Sequence, residues 1–431
     1  MGGLSPLDKE LRRNFTITRM QLLYDIGIKV FYFGISIAAK FNVNKAKHWV
    51  NGRKGLFNNL EKGIDGRKID IWFHCASMGE FEQARPLIEH YKSSNPDHFL
   101  IVSFFSPSAY MYHSNYSFAN YVFYLPLDTK NNAKRLLDIL NVERVVFVKY
   151  EFWFNLLSEL ENRNIHVYLV SGIFRKSQQF FKFYGKWFRN KLTAFDHFYV
   201  QNKTSKELLN SVGFYNVMVS GDSRFDRVSK IEKDGFKNAA LDAFCQNSKT
   251  IVFGSAWSKE SEFAIQLLNA TDKVKIIIAP HEIDPKICNE LLSKTQGRGI
   301  LWSNIDTPSD LMHKQLLIID TIGILARLYR YADFAFIGSG FGNGIHNILE
   351  AAVYGCPIFF GKNFSFFQEA HDLIAQKSAF PVEEFQKFKI LLDRMLDDNK
   401  ELQRIKKSTT HYVMENTGVA HRIFSHMLGH G

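Results

Sequence analysis

The sequence predicts an α/β protein built from two doubly wound units. Apolar runs that are continuous rather than alternating recur along the chain with helical stretches between them, the pattern of parallel strands covered on both faces. The chain has 431 residues, and a domain commonly holds roughly 100–200, so two domains are the simplest division. Finally, Phe336 to Gly361 reads FIGSGFGNGIHNILEAAVYGCPIFFG. There an apolar strand runs into four glycines spaced by two (Gly338, Gly340, Gly342, Gly344), a helix is expected from about His346–Asn347, and a second apolar run covers Pro357 to Phe360. Strand, loop, helix and strand make one β-α-β unit.

From the N-terminus, Met1–Gly2–Gly3 resembles a myristoylation start, but Pro6 stands where Ser or Thr is wanted. Residues 1–19 are polar, and either Met1 or Met20 serves as the first residue. Leu22 to Ala39 is mostly apolar, interrupted by Asp25 and Lys29, which are spaced to pair on one helix face. The unbroken part, Val30 to Ala39, is shorter than the roughly 20 residues that cross a bilayer. Lys40, Lys45, Lys47, Arg53 and Lys54 follow, and no small-residue cleavage site is evident. The expectation is a membrane-associated helix, spanning or lying on the bilayer, with its basic flank on the cytoplasmic side; the alternative is a buried helix of the first domain.

Strands are expected at Ile69–His74, Phe99–Phe105, Tyr121–Leu125, Arg144–Val148, His166–Val170, His197–Gln201 and Val217–Ser220, then at Thr250–Phe253, Val274–Ala279, Gly299–Trp302, Gln315–Ile319, Phe334–Ile337 and Pro357–Phe360. A boundary falls near Gly221–Asp226, where a polar helical stretch begins. The division expected is therefore an N-terminal extension (residues 1–50), a first domain (51–221) and a second (222–431). From Lys387 the chain is charged and amphipathic, and the tail carrying His426 and His430 is read as solvated rather than metal-binding.

With 46% apolar residues, a large core is available. The net charge of +11 is spread without a lysine or arginine run, which fits an anionic substrate or membrane surface and no nucleic-acid arm. Cys75, Cys245, Cys288 and Cys356 lie far apart with no C-x-x-C, so buried thiols are expected rather than a disulfide framework.

Ligands of doubly wound sheets sit at the carboxyl ends of the strands, so chemistry is sought there, in a cleft faced by both domains. The glycine loop offers backbone N–H groups to an anion, but the dinucleotide fingerprint fails, because Asn343 holds the third glycine's place. In HCASMGEFEQARPLIEHY, Ser77 and Glu80 form a capping box, which by itself explains both residues. Glu80 also stands at a strand end, where a carboxylate acts as a general base, and the helix N-terminus is expected to keep it ionised. Glu151, in KYEFWFNLL, directly follows the strand Val145–Val148; it is either a second site carboxylate or a strand-end residue facing water.

These segments together resemble the 3-deoxy-D-manno-octulosonic acid (Kdo) transferases of lipopolysaccharide synthesis. HCASMGEFEQARPLIE is similar to the S-V-G-E motif, Tyr124–Asp128 (YLPLD) to Y-L-P-x-D, YEFWFNLL to E-L-W-P-N-L-L, Gly221–Asp226 (GDSRFD) to G-N-x-K-F-D, and Phe253–Glu262 (FGSAWSKESE) to the G-S-T segment. Ala279–Pro285 (APHEIDP), the DTIGILARLYRYADFAFIGSGF stretch and GIHNILEAAVYGCPIFFGKNFSFFQEA complete the series in order. The resemblance spans nearly the whole chain from about Met20.

It implies a GT-B fold, two Rossmann-like domains facing a central cleft, with an N-terminal membrane-associated helix at the cytoplasmic face of the inner membrane. It implies inverting, metal-independent transfer of Kdo from CMP-Kdo to a lipid A precursor, with no cofactor. The absence of any Asp-x-Asp agrees. By matched position, Glu80 is the general base, Glu151 and Arg224 stabilise the transition state, and Pro280, His281, Ile322, Gly323, Ile324, Asn347, Ile348, Leu349 and Glu350 contact CMP. Three positions depart from the family pattern: His281 follows Pro280 with no arginine between them, Ile324 replaces a glutamate, and Ile348 replaces a proline. The alternatives are another GT-B transferase using a UDP-sugar for a cell-envelope lipid, a UDP-sugar epimerase, and a catalytically dead membrane-attached binding protein.

Overall fold

The computed structural model describes residues 6–429, with side chains from Arg19 onward. The Met1–Gly3 start and His430 lie outside the described residues. The chain forms two compact units, one running to Arg224 and taking in Gly418 onward, the other covering Phe225–Thr417. The cut at Arg224–Phe225 lies within the Gly221–Asp226 segment named from the sequence. The linear division kept residues 222–431 together; in the structure the last helix, Val419–Met427, belongs with the first unit.

The first unit opens with α1 (Pro6–Lys40) and α2 (Asn44–Asn51). Arg19–Lys40 is long and apolar enough to cross a membrane by length and composition, and none of its best window is buried. Seven strands follow: β1 (Ile71–Cys75), β2 (Leu100–Phe104), β3 (Tyr121–Tyr124), β4 (Arg144–Val148), β5 (His166–Gly172), β6 (His197–Val200) and β7 (Val217–Val219). They pair in parallel in the order β3-β2-β1-β4-β5-β6-β7. Both faces are covered: Trp72, Val145 and Phe147 pack in one cluster, and Ile71, Phe73, Val146 and Val148 in the other. This two-sided burial explains the unbroken apolar runs.

The second unit repeats the plan with β8 (Lys249–Ala256), β9 (Val274–Pro280), β10 (Gly299–Leu301), β11 (Leu316–Ile318), β12 (Phe334–Ile337), β13 (Ile358–Phe360) and β14 (Ala379–Pro381). The order is β10-β11-β9-β8-β12-β13-β14, again parallel. Two seven-stranded parallel sheets with helices are the α/β, GT-B-type architecture expected. The sequence reading contains no counterpart of β14. It is a three-residue edge strand ending in Pro381, and proline is tolerated at such an edge.

Three local expectations are corrected. Behind the glycine loop the helix is a single turn, Leu349–Ala352, that starts later than His346–Asn347. The tail is not solvated at His426: Tyr199 Oη and His426 Nδ1 lie 2.9 Å apart, and Phe424 packs on Tyr91. Asp25 does not take Lys29 as its partner; its carboxylate receives Asn155 Nδ2 at 3.0 Å and lies 3.7 Å from Lys130 Nζ. All four cysteines are free thiols, as expected; Cys75, Cys288 and Cys356 are buried and Cys245 is half-buried.

Candidate functional site

In the first sheet the strand order reverses between β1 and β4, so whatever leaves the carboxyl ends of these neighbours is brought together. Past β1, the chain turns at Ala76–Ser77 and starts the helix Met78–Ser94. The capping box read from the sequence is present: Ser77 Oγ accepts the Glu80 N–H at 3.4 Å, and Glu80 Oε2 accepts the N–H groups of Ser77 at 3.2 Å and Ala76 at 2.6 Å. Past β4, Lys149 adopts a left-handed backbone with φ +66° and delivers Tyr150 and Glu151. A side chain of this size rarely holds that conformation, and such strain is found where geometry is imposed at a site.

Glu80 and Glu151 meet through a side-chain hydrogen bond. Two carboxyl groups so close titrate as a coupled pair. Burial pushes Glu80 up to about 7, with the charge of Glu151 adding to it, against the opposing hydrogen bonds of the Ala76 and Ser77 amides. Burial also pushes Glu151 up to about 7, against hydrogen bonds from Trp153 and Glu80. The helix N-terminus does not hold Glu80 in the usual carboxylate range, because desolvation outweighs two backbone hydrogen bonds. Nor does Glu151 face open water, since its side chain is only 12% exposed.

Beneath the pair lies His74, fully buried and missed by the sequence reading. Trp153 Nε1 donates to its Nε2 at 2.9 Å, so Nδ1 carries the proton and donates to Ser103 Oγ at 2.8 Å. Ser103 Oγ also accepts from Trp72 Nε1 at 2.7 Å. Burial pushes His74 down to about 4, so its 3.4 Å approach to Glu151 Oε2 joins a neutral ring to the carboxyl pair rather than an ion pair. The signal was a histidine inside an apolar strand, next to the motif.

Arg224 is clamped by Asp222, whose Oδ2 receives Nε at 2.9 Å and an Nη at 2.7 Å. Ser223 Oγ donates to Gln83 O at 2.5 Å and lies 3.1 Å from Ser171 Oγ, tying this turn to the helix of Glu80 and to β5. Tyr150 directly precedes Glu151. Burial raises its pKa, Arg175 hydrogen-bonds it, and the charges of Glu80 and Arg224 both reach it. The structure thus joins Glu80 to Glu151 directly and sets Arg224 at the same end of the sheet.

In the second unit the order reverses between β8 and β12, and the glycine loop leaves β12 at that point. A Cβ on Gly338 would collide with Ser255 O, and one on Gly340 with Gly361 N, so backbone packs on backbone there. Many of the loop's amides are already engaged. The N–H groups of Gly342 and Gly344 bond Ser339 O, and that of His346 bonds Gly338 O. Glu260, 1% exposed, takes the Trp257 N–H at 3.1 Å and faces the amides of Ser339 and Phe341. With a one-turn helix behind it and a buried carboxyl beneath it, the loop is a weaker anion cradle than its glycines promise.

The predicted CMP contacts fall in three places. Pro280 closes β9, and His281 follows, its N–H bonded to Ala256 O at 2.9 Å. The His281 ring lies between Trp257 and His346, with centroids 4.4 and 4.7 Å apart and planes 21° apart in each pair. This stack across the ends of β9, β8 and β12 is absent from the sequence reading, which had only its middle ring. His346 Nε2 is buried with no hydrogen-bond partner, and burial lowers its pKa. Asn347 Nδ2 donates to Glu350 Oε1 at 3.2 Å, while Ile348 and Leu349 are core residues that present only backbone. Ile322 is 68% exposed and Gly323 has φ +95°, so Ile322–Ile324 is a turn before the helix Leu325–Leu328. Beside Pro280 opens a cavity of about 550 Å³ walled by Trp257, Ile287, Leu291, Glu262 and Lys294. Among the described residues, no three or more His, Cys, Asp or Glu are grouped to hold a metal ion.

Residues 45–227 match the family model of the 3-deoxy-D-manno-octulosonic-acid transferase (kdotransferase). A bifunctional glycosyltransferase/methyltransferase of Fusobacterium nucleatum is 27% identical over 371 residues, 82% of this chain and 56% of that protein, so the chain spans little more than half of that relative. A 3-deoxy-D-manno-octulosonic acid transferase of Chlamydia muridarum is 24% identical over 88% of this chain and 90% of its own length. Among solved structures, the UDP-GlcNAc 2-epimerase of Neisseria meningitidis superposes with a TM-score of 0.59 at 16% identity, over 84% of this chain and all of that one, a likeness of fold.

Proposed function

We propose, from the premise that this chain is a glycosyltransferase resembling the Kdo transferases, that it transfers Kdo from CMP-Kdo to a lipid A precursor with inversion and without a metal. The observation that carries the reading is the Glu80–Glu151 pair, two buried carboxyl groups each pushed up to about 7. A base that titrates near the working pH is best suited to take a proton and later release it.

Glu80 in its ionised form accepts the proton of the acceptor hydroxyl as that oxygen attacks the anomeric carbon of Kdo. The new C–O bond forms as the bond from that carbon to the phosphate oxygen breaks, and CMP leaves with the electron pair. Attack opposite the leaving group inverts the configuration. Glu151 sets the basicity of Glu80, and Arg224, held in place by Asp222, answers the charge that develops. A nucleoside monophosphate leaving group carries one phosphate, a smaller charge to neutralise than a diphosphate. On the donor side, the Trp257–His281–His346 stack supports a base-binding role, and Asn347 and Glu350 offer polar atoms to the ribose. Pro280, Ile322, Gly323, Ile324, Ile348 and Leu349 would contribute backbone and apolar contact. α1 and the basic residues after it support a place at the cytoplasmic face of the inner membrane.

The test is to incubate the protein with CMP-Kdo and a tetra-acylated lipid A precursor and read the product mass. Addition of Kdo units supports the reading. No addition, together with tighter binding of UDP than of CMP, overturns it in favour of a UDP-sugar.

A further inference from the structure

Beside the carboxyl pair, two cations meet on one phenol. Lys149 follows β4, and Arg175 comes three residues after β5, the strand paired with it. Lys149 Nζ lies 5.3 Å from the centre of the Tyr150 ring, and the Arg175 guanidinium carbon lies 5.5 Å from it. Both distances are within the reach of a cation–π contact. Arg175 also hydrogen-bonds the Tyr150 hydroxyl, on which the charges of Arg224 and Glu80 act as well. One peptide bond joins Tyr150 to Glu151, so the two cations stand at the same strand ends as the Glu80–Glu151 pair.

The backbone is built to hold them there. Lys149 is left-handed, and so is Ser171 at the end of β5, with φ +53°. Two strained residues on neighbouring strands turn both chains at one level, the kind of distortion that persists where a site imposes it. The Lys149 N–H bonds Val170 O at 2.9 Å, which ties its turn to β5. Ahead of Arg175, Phe174 is buried in the core, and its N–H donates to Ser205 Oγ at 2.9 Å. The Arg175 N–H donates to Gln178 Oε1 at 2.9 Å, and the Gln178 N–H donates to Arg175 O at 3.0 Å. The chain is thus pinned on both sides of Arg175, while the residue itself is exposed.

An anion brought to Glu80 and Glu151 is opposed by two carboxyl groups, and cations at the same strand ends offset that opposition. In an octulosonic acid the carboxylate is bonded to the anomeric carbon itself, the carbon that the acceptor hydroxyl attacks. A group that holds the carboxylate therefore sets the reacting carbon beside the base. The guanidinium fork matches the two oxygens of a carboxylate, and a lysine adds a point charge. We propose that Arg175 and Lys149, gathered on Tyr150, bind the carboxylate of the transferred sugar and so select a sugar acid over a neutral sugar beside Glu80 and Glu151. The second measurement below rests on the transferase reading; the first does not.

The first measurement follows binding of free Kdo and of its methyl ester to the full chain in detergent, by saturation-transfer NMR, for wild type and Arg175→Ala. Wild type is expected to bind the acid about tenfold more tightly than the ester, and Arg175→Ala to bind both as weakly as wild type binds the ester. Equal binding of acid and ester by wild type, including none of either, overturns the proposal. So does wild-type affinity for the acid in Arg175→Ala. The second measurement is transfer from CMP-Kdo. For Arg175→Ala, kcat/KM for the donor is expected to fall about tenfold, and further for Arg175→Glu, with CMP affinity and the KM for the lipid A precursor unchanged. An unchanged donor kcat/KM overturns it. A rise confined to the acceptor KM also overturns it, because the anion held is then a phosphate of the acceptor. Wild type that distinguishes acid from ester yet transfers nothing refutes the transferase reading and leaves the carboxylate site standing.

Discussion

The two units share a fold and place their key residues at the same topological point, yet they treat that point differently. In the first unit the reversal between β1 and β4 holds a polar network drawn from buried and half-buried side chains: Glu80, Glu151, His74, Trp153 and Ser103. In the second, the reversal between β8 and β12 is largely closed by its own backbone, and what it presents is a ring stack and an Asn347–Glu350 pair. In the proposed reaction the first arrangement tunes a proton, and the second offers surface to a planar ligand, so that one sheet architecture would serve two tasks through different strand-end residues.

The comparison is broken most sharply by Glu80→Gln. The isosteric amide keeps much of the cap but takes no proton, so kcat is expected to fall by about 10²–10⁴ while CMP affinity changes less than twofold. Wild-type-like transfer removes the first unit's role. Arg224→Ala is next, with a loss of about 10²-fold in kcat and a smaller loss for Arg224→Lys, which restores charge without the fork that Asp222 grips. If the melting temperature falls while kcat holds, the residue is a structural tie. On the other side, Trp257→Ala is expected to weaken CMP about tenfold, as loss of one stacking surface does, with kcat at saturating donor little changed. An unchanged CMP titration places the base elsewhere.

The smallest effect is on stability. Glu80 and Glu151 titrate near 7 when folded and near 4.5 when unfolded, so folding takes up protons between those values. Their stabilisation as neutral groups is complete below about pH 4.5 and is lost as pH rises through 7. Glu151→Gln is therefore expected to raise stability by about 1–2 kcal/mol at pH 8 and to leave it unchanged near pH 4. Chemical denaturation at both values checks this, and equal shifts would show that the pair is not coupled as described.

Much of the fold was legible because parallel strands buried on both faces leave unbroken apolar runs, whereas β14, a three-residue edge strand ending in Pro381, leaves almost none. Glu80 and its cap could be read from four consecutive residues, Ser77 to Glu80, because a capping box is local. The coupling with Glu151 could not, since residues 71 positions apart meet only through the order of β1 and β4, and the cost of desolvation appears only once the sheet is covered. His74 looked like part of a strand and proved to be the base of the network. The glycine loop reads as open in the sequence, and the bonds that occupy its amides, from Gly342, Gly344 and His346 to loop carbonyls, form only once it is folded. The return of Val419–Met427 to the first unit is a long-range event that no local pattern marks.

The central claim is that Glu80 is a base whose proton affinity is set by Glu151. The pH dependence of kcat/KM for wild type and Glu151→Gln, measured with CMP-Kdo and a lipid A precursor, tests it most directly. The account expects an ascending limb near pH 7 in the wild type and a shift of about one unit downward in the variant, because removing the neighbouring charge lowers the Glu80 pKa. An ascending limb at the same pH in both proteins would contradict it.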